Sequence, residues 1–191
     1  MKRRTKLRSH RPPHKPSGLQ LQRFQVFVES NASLDMPRAP HLFGAVYLIV
    51  TRSPKAFRPN EILLGRRQGT GFMDGCYSLP SGHIEPKETV VEAAVREAEE
   101  ELGIKVQPWN ISVVHCMHRP SFDQGYREYM DIYCHLARWE GEIRNMEPHK
   151  CESLNFFRAD YLPRDTVNYV RQGLQYCSEK QIFSSQFPTT N

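Results

Sequence analysis

Three glutamates, Glu97, Glu100 and Glu101, stand at positions i, i+3 and i+4 of a stretch with helical periodicity. At about 100° per residue they fall at about 240°, 180° and 280° from Val91, whereas Ala94, Val95, Ala98 and Leu102 lie within about 60° of it. The segment therefore carries an apolar stripe that can pack on a sheet, and a separate carboxylate face. Like charges at these spacings repel one another and destabilise a bare helix. A hard divalent cation would turn that repulsion into coordination, because Mg²⁺ takes oxygen ligands and bridges them to phosphate oxygens. The chemistry on offer is metal-assisted attack of water on phosphorus. A solvated acidic helix surface is the plain alternative for any glutamate-rich helix.

The residues around the face decide between the two. From Gly82 the chain reads GHIEPKETVVEAAVREAEEELGI, with Glu88 six residues on, then Arg96-Glu97, Glu100-Glu101, Gly103 and Ile104. This resembles the Nudix box, G-x5-E-x7-R-E-U-x-E-E-x-G-U with U a bulky aliphatic, over residues 82–104. Two positions depart from the pattern: Ala98 is small where U is usually larger, and Ser81 replaces a glycine of the usual P-G-G lead-in. The resemblance implies an α/β fold, the Nudix fold, with a mixed β-sheet sandwiched between helices. It implies Mg²⁺ as cofactor, with Mn²⁺ able to substitute, ligated by Glu97, Glu100 and Glu101. Arg96 then orients one of these carboxylates by a charge-assisted hydrogen bond. Gly82 and Glu88 hold the loop against the helix, and Gly103 closes it.

Beyond the box, Trp139-Glu140-Gly141-Glu142 followed by Glu147-Pro148-His149-Lys150-Cys151-Glu152 resembles the MutT-type branch of the family. There a glutamate eight residues past the tryptophan reaches the metal cluster from a loop, and Glu147 holds that place; Glu152 is the alternative. Phe72, Tyr126 and Tyr129 are candidates to stack on a base, and the Asn168 amide, at the start of the last helix, could read a purine edge. The histidines His83, His115, His118 and His135 read as packed or surface side chains.

The reaction so implied is hydrolysis of a diphosphate bond in a nucleotide-like substrate, taking a nucleoside triphosphate to monophosphate and diphosphate. An ADP-ribose or nucleotide-sugar diphosphatase is the alternative, for which Pro120, sixteen residues past the box, is a weak marker. A third reading is a Nudix-fold nucleotide-binding regulator without catalysis, for which a broken box would be expected. Fold analogy adds a possible homodimer.

Several elements must position these groups. Leu21–Glu29 alternates as a short strand, His41–Thr51 reads as a buried strand and Glu61–Arg66 as another. The glycine-dense stretch 69–83 permits no more than a brief strand at Tyr77–Leu79. A helix is predicted over Glu88–Leu102, paired strands over Val113–His118 and Glu128–Ala137, and a short strand at Leu154–Phe157. A second helix is predicted over Asp165–Tyr176 with Asp165 as cap.

The net charge of +5 resides in one segment. Residues 1–18 hold seven of the 26 basic side chains (Lys2, Arg3, Arg4, Lys6, Arg8, Arg11 and Lys15) and no acid, which leaves the rest slightly acidic. They read as a solvated, disordered tail able to make weak nucleic-acid contact. Residues 19–180 read as the Nudix domain and 181–191 as a second tail; Met36 is an alternative start. Five widely spaced cysteines without a Cys-x-x-Cys pair suggest reduced thiols in a cytoplasmic protein rather than a zinc or disulfide scaffold. No apolar run approaches the about 20 residues a membrane helix requires.

Overall fold

The longest apolar run forms strand β1 (His41–Val50), and its side chains alternate between two clusters. Val46, Leu48 and Val50 pack with Ala93, Ala94, Ala98 and Leu102 of helix α1 (Val90–Leu102). Ala45, Tyr47 and Ile49 pack with Tyr169, Val170 and Leu174 of helix α2 (Asn168–Ser178). Since successive strand residues face opposite sides of a sheet, the two helices cover opposite faces. This is the α/β sandwich expected from the sequence.

The structure is a computed structural model that describes residues 41–52, 61–120 and 127–186. The basic segment 1–18, the strand expected at Leu21–Glu29, the alternative start at Met36 and Tyr126 lie outside the described residues.

The remaining strands are β2 (Glu61–Arg67), β3 (Tyr77–Ser78), β4 (Ser81–His83), β5 (Ile111–Arg119), β6 (Arg127–Leu136), β7 (Cys151–Arg158) and β8 (Phe183–Ser185). A mixed five-stranded sheet runs β4-β1-β6-β5-β8, and a second sheet runs β3-β2-β7. β1 pairs with β6 in parallel over ten successive residues, from His41↔Arg127 to Val50↔Leu136. Both clusters contain residues of both sheets, Leu63 and Phe156 on the α1 side, Ile62 and Phe157 on the α2 side. The second sheet therefore lies in the same layer as the first.

α1 begins two residues later than predicted. Thr89 caps it: its hydroxyl accepts from Glu92 N at 3.2 Å, and Glu92 Oε2 accepts from Thr89 N at 2.8 Å. A cap of this kind contributes about 1 kcal/mol. Starting at Val90 leaves Glu88 outside the helix and free to pair elsewhere. At the other end Gly103 takes φ 67°, and its N–H donates to Glu99 O at 3.0 Å.

Three further elements depart from the sequence reading. β4 lies in the glycine-dense stretch 69–83, beyond the brief strand expected at Tyr77–Leu79, because pairing with β1 extends the chain there. α2 starts at Asn168, with Val167 at the cap position and no side-chain cap, so Asp165 does not cap it. β8 lies within the stretch 181–191 read as a patternless end. His115, buried in β5, fixes it from below: Nδ1 donates to Gln181 O at 2.7 Å, which leaves Nε2 to accept from the Ser184 hydroxyl at 2.9 Å. Three residues are too few to show a period, and the strand exists through this tertiary pairing.

Candidate active site

A cavity of about 1000 Å³ opens where α1, β4, the β2–β3 loop and the segment before β7 meet. Its wall holds Glu97, Glu100, Glu101, Arg96 and Glu147 at one side and Tyr47, Arg119, Tyr129 and Tyr169 at another.

Arg96 organises the acidic side. Nε and Nη2 clasp both oxygens of Glu88 at 2.8 and 3.0 Å, Nη2 also donates to His83 O at 2.9 Å, and Nη1 reaches Glu97 Oε1 at 2.6 Å and Glu100 Oε2 at 3.0 Å. Glu88, expected to tie loop to helix, does so through this arginine, and its carboxyl is held below the usual range by it. The glycine at 82 has a steric cause: a β-carbon there would overlap the Glu97 carboxylate. Glu97 is buried, and burial raises its pKa against the opposing pull of Arg96.

Glu101 accepts from Ser81 N at 2.9 Å. Desolvation, with the Glu97 and Glu147 charges adding to it, pushes its carboxyl up to about 8. The same Glu147 charge raises Glu97, and Glu147 lines the same cavity wall as the helical pair. Backbone bonds put it there. Arg144 N donates to Leu102 O at 2.9 Å and Met146 N to Glu101 O at 3.1 Å, using carbonyls that the end of α1 leaves open. Asn145 then ties the turn, donating to Cys151 O at 2.7 Å and accepting from Glu147 N at 3.2 Å. Glu152, the alternative, instead pairs with Arg66 at 3.0 Å and takes no part in the cavity wall.

Among the described residues, no three carboxylate, imidazole or thiol groups converge on one point as ready-made metal ligands. Each glutamate leans on its own donor: Glu97 and Glu100 on Arg96, Glu101 on Ser81 N, and Glu147 on Lys150 Nζ at 2.8 Å. The donor set nevertheless suits a hard divalent cation, being all carboxylate oxygen with pKa values raised by burial at Glu97 and Glu101.

The loop after β2 carries Phe72. Asp74 folds it, accepting from Thr70 N, Thr70 Oγ1 and Gly71 N at 3.1, 2.6 and 3.0 Å, which lowers its own pKa. Gly69, Gly71 and Gly75 adopt φ of 64°, 75° and 83°, which glycine takes without strain. Phe72, the candidate to stack on a base, lies in the cavity wall and is half-exposed. Asn168 is exposed and outside the wall; its neighbour Tyr169 lines the cavity instead. Of His83, His115, His118 and His135, only His83 reaches the wall, with Phe43 and Tyr129 ring centroids 6.2 and 5.9 Å away.

Three wall features escaped the sequence reading: Lys150, Tyr169, and an ion pair between Arg119 and the fully buried Asp131. An acid and an arginine twelve residues apart in apolar strands are the only trace of that pair in the sequence.

The family model for the NUDIX domain matches residues 42–175. Curated relatives include the 8-oxo-dGTP diphosphatase of Escherichia coli, 33% identical over 54% of this chain and 78% of its own length. The NAD-capped RNA hydrolase NudC of Stutzerimonas stutzeri is 35% identical over 65% of this chain and 39% of its own. An ADP-ribose pyrophosphatase of Methanocaldococcus jannaschii is 49% identical over 25% of this chain and 27% of its own. The chain thus spans well under two thirds of the last two. Among solved structures, the MutT NUDIX hydrolase of Burkholderia pseudomallei superposes with a TM-score of 0.62 and 26% identity, covering 71% of this chain and 97% of that one.

Proposed function

The chain belongs to the Nudix family of hydrolases, with MutT-type likeness, and on that premise we propose that it hydrolyses a nucleoside triphosphate to monophosphate and diphosphate with Mg²⁺. The observation that carries this reading is the meeting of Glu97, Glu101 and Glu147 in one cavity wall, where burial and the Glu147 charge raise the pKa of both helical glutamates. A bound divalent cation supplies charge neutralisation to the phosphate oxygens. Glu97, Glu100 and Glu101 would hold it. The rest falls to the chain itself. Arg96 fixes the directions of Glu97 and Glu100 through its rigid fork, and the Ser81 N–H fixes Glu101. Glu147 Oε1, now bonded to Lys150, accepts the proton of the attacking water. The new bond joins that water oxygen to phosphorus, and the bond to the bridging oxygen breaks, with the electron pair leaving on the diphosphate.

One different reading has support of its own. Pro120 directly follows β5, and the ADP-ribose pyrophosphatase match is the highest in identity of those above, though short. An ADP-ribose or nucleotide-sugar diphosphatase is therefore the competing activity. Arg96 joins Glu88, Glu97 and Glu100 of the box in one cluster, which argues against a regulator without turnover.

No helix among the described residues is long and apolar enough to cross a membrane. All five cysteines are free thiols, which supports a place in the reducing cytoplasm.

A turnover panel tests the substrate class, using the purified full chain with Mg²⁺ and canonical and oxidised nucleoside triphosphates, ADP-ribose, nucleotide sugars and dinucleoside polyphosphates. A triphosphate should give the highest kcat/KM, with monophosphate and diphosphate as products and ¹⁸O from water on one of them. ADP-ribose cleaved to AMP and ribose 5-phosphate at tenfold higher kcat/KM would overturn the triphosphate reading. No turnover of any compound would favour the regulator.

A further inference from the structure

Across the cavity from the glutamates stands the ion pair of Arg119 and Asp131. Arg119 ends β5, and Asp131 lies in the middle of β6. Nε donates to Oδ2 at 2.7 Å and Nη2 to Oδ1 at 3.2 Å. Asp131 is fully buried, and the Arg119 side chain is 15% exposed. The Tyr129 and Tyr169 ring centroids lie 4.4 and 4.2 Å from the guanidinium carbon.

A pair so buried gives little net stability over apolar side chains of the same size, because both charges lose their water. What remains available on the arginine is specific. With the Nε edge spent on Asp131, Nη1 meets no acceptor among the described residues, yet it is not sealed from solvent. Arg119 lines the cavity, and its side chain keeps 15% of its surface exposed. The two Nη atoms each keep a hydrogen along this end, so the guanidinium presents a second fork. Ser78 Oγ is the one buried side-chain oxygen or nitrogen without a partner among the described residues, and Ser78 lies in the same wall. Two unanswered polar groups in one wall indicate a polar ligand.

The sheet order tells which part of the ligand this is. Gly82, against Glu97, is on β4, and the guanidinium is held at Asp131 of β6, two strands across. At the usual strand spacing that is about 10 Å. A phosphate chain held at the glutamates leaves the far end of the nucleotide, its base, to meet the fork.

We propose that Arg119 is a specificity-determining residue whose free fork donates to O6 and N7 of a 6-oxopurine, so that the enzyme takes guanine or hypoxanthine nucleotides in preference to adenine nucleotides. Guanine offers two adjacent acceptors on that edge, whereas adenine offers N7 beside an amino donor that would face Nη hydrogens. Pyrimidines have no such adjacent pair on that edge. Asp131 serves as a positioning residue, holding the guanidinium in plane by its Nε edge, while the two tyrosine rings restrict its rotation.

This inference rests on the proposed function only in taking a nucleotide as the substrate, not in the bond that is cut. The test measures binding without turnover. The full chain with Mg²⁺ is titrated by calorimetry with the α,β-imido triphosphates of guanosine, inosine and adenosine. The guanosine and inosine compounds should bind at least about tenfold tighter than the adenosine one. Arg119→Lys keeps the charge and loses the fork, so the ratio should fall below about threefold. A structural arginine would instead weaken all three ligands alike. Equal affinities in the wild-type protein overturn the proposal, and so does an unchanged ratio in a folded Arg119→Lys protein. Should Arg119→Lys fail to fold, the wild-type ratio still decides. Repeating the titration of a catalytically impaired Glu101→Gln protein with GDP-linked and ADP-linked sugars separates the two readings. A guanine preference there upholds the base contact even where the triphosphate assignment has failed.

Discussion

Gly82 lies so close to Glu97 that a β-carbon on the first would overlap the carboxylate of the second. The loop and the helix thus interlock through a missing side chain. Gly82→Ala should drive Glu97 away from Arg96 and lower kcat at least about 100-fold, as expected when a positioned group moves by an ångström. Steady-state kinetics and a melting curve check it. A wild-type kcat in the alanine variant would show that the placement of Glu97 is unimportant.

Turnover should vanish in EDTA and return with Mg²⁺. Glu100→Gln and Glu101→Gln should each lower kcat by several orders of magnitude. Both glutamates lie off the apolar stripe of α1, so each variant should melt no lower than the parent. Near-normal turnover in either one refutes its assignment as a ligand.

A pH dependence follows from Glu101, whose carboxyl sits at about 8 because burial and the Glu97 charge oppose ionisation. Its unfolded pKa is about 4.3. Between those two values the folded chain holds a proton that the unfolded chain has released. The stabilisation is complete below the lower pKa and lost as pH rises through the upper one. In EDTA the melting temperature should therefore decline from pH 5 to pH 8, and Glu101→Gln should flatten that decline. Parallel curves for the two proteins would remove the basis for the shift.

Glu147→Gln should lower kcat and leave KM nearly unchanged, since a proton acceptor acts mainly in the transition state. Glu152→Gln should leave both constants near the parent values, because Glu152 pairs with Arg66 outside the cavity wall. The reverse pattern would mean that the loop register is misread.

Gly173, in α2, faces Tyr133, whose hydroxyl donates to Tyr169 O at 2.9 Å. A methyl group there would overlap the ring, so Gly173→Ala should cost about 1–3 kcal/mol despite alanine's better helix propensity. Denaturant unfolding measures it, and a stabilised variant would contradict the packing described.

Much of this architecture is legible in the sequence, for reasons that can be named. α1 shows through its apolar stripe and glycine stop, and Glu147 through its distance from Trp139, because a loop anchored by backbone bonds to α1 tolerates little variation in length. The helix start is missed by two residues, since the capping box centred on Thr89 competes with Glu88 for the same position. β8 and the Arg119–Asp131 pair are not legible. Both depend on side chains brought together across the five-stranded sheet by pairing that no local period encodes: His115 with Ser184 in one case, neighbouring strands in the other. Asn168 illustrates the limit of motif spacing, since one residue's rotation on a helix exchanges it for Tyr169 at the wall.

The parallel ladder of β1 and β6 has a consequence for biogenesis. Ten register pairs bind a strand near the start of the domain to one that leaves the ribosome only after the box helix and β5 have been made. At about 5–20 residues per second, β1 spends several seconds as an apolar segment with an unpaired edge on its β6 side. Non-local parallel pairing of this kind also slows the final closure. The nascent chain therefore passes through an interval in which its most hydrophobic strand is open to other chains, and a holding chaperone would act there.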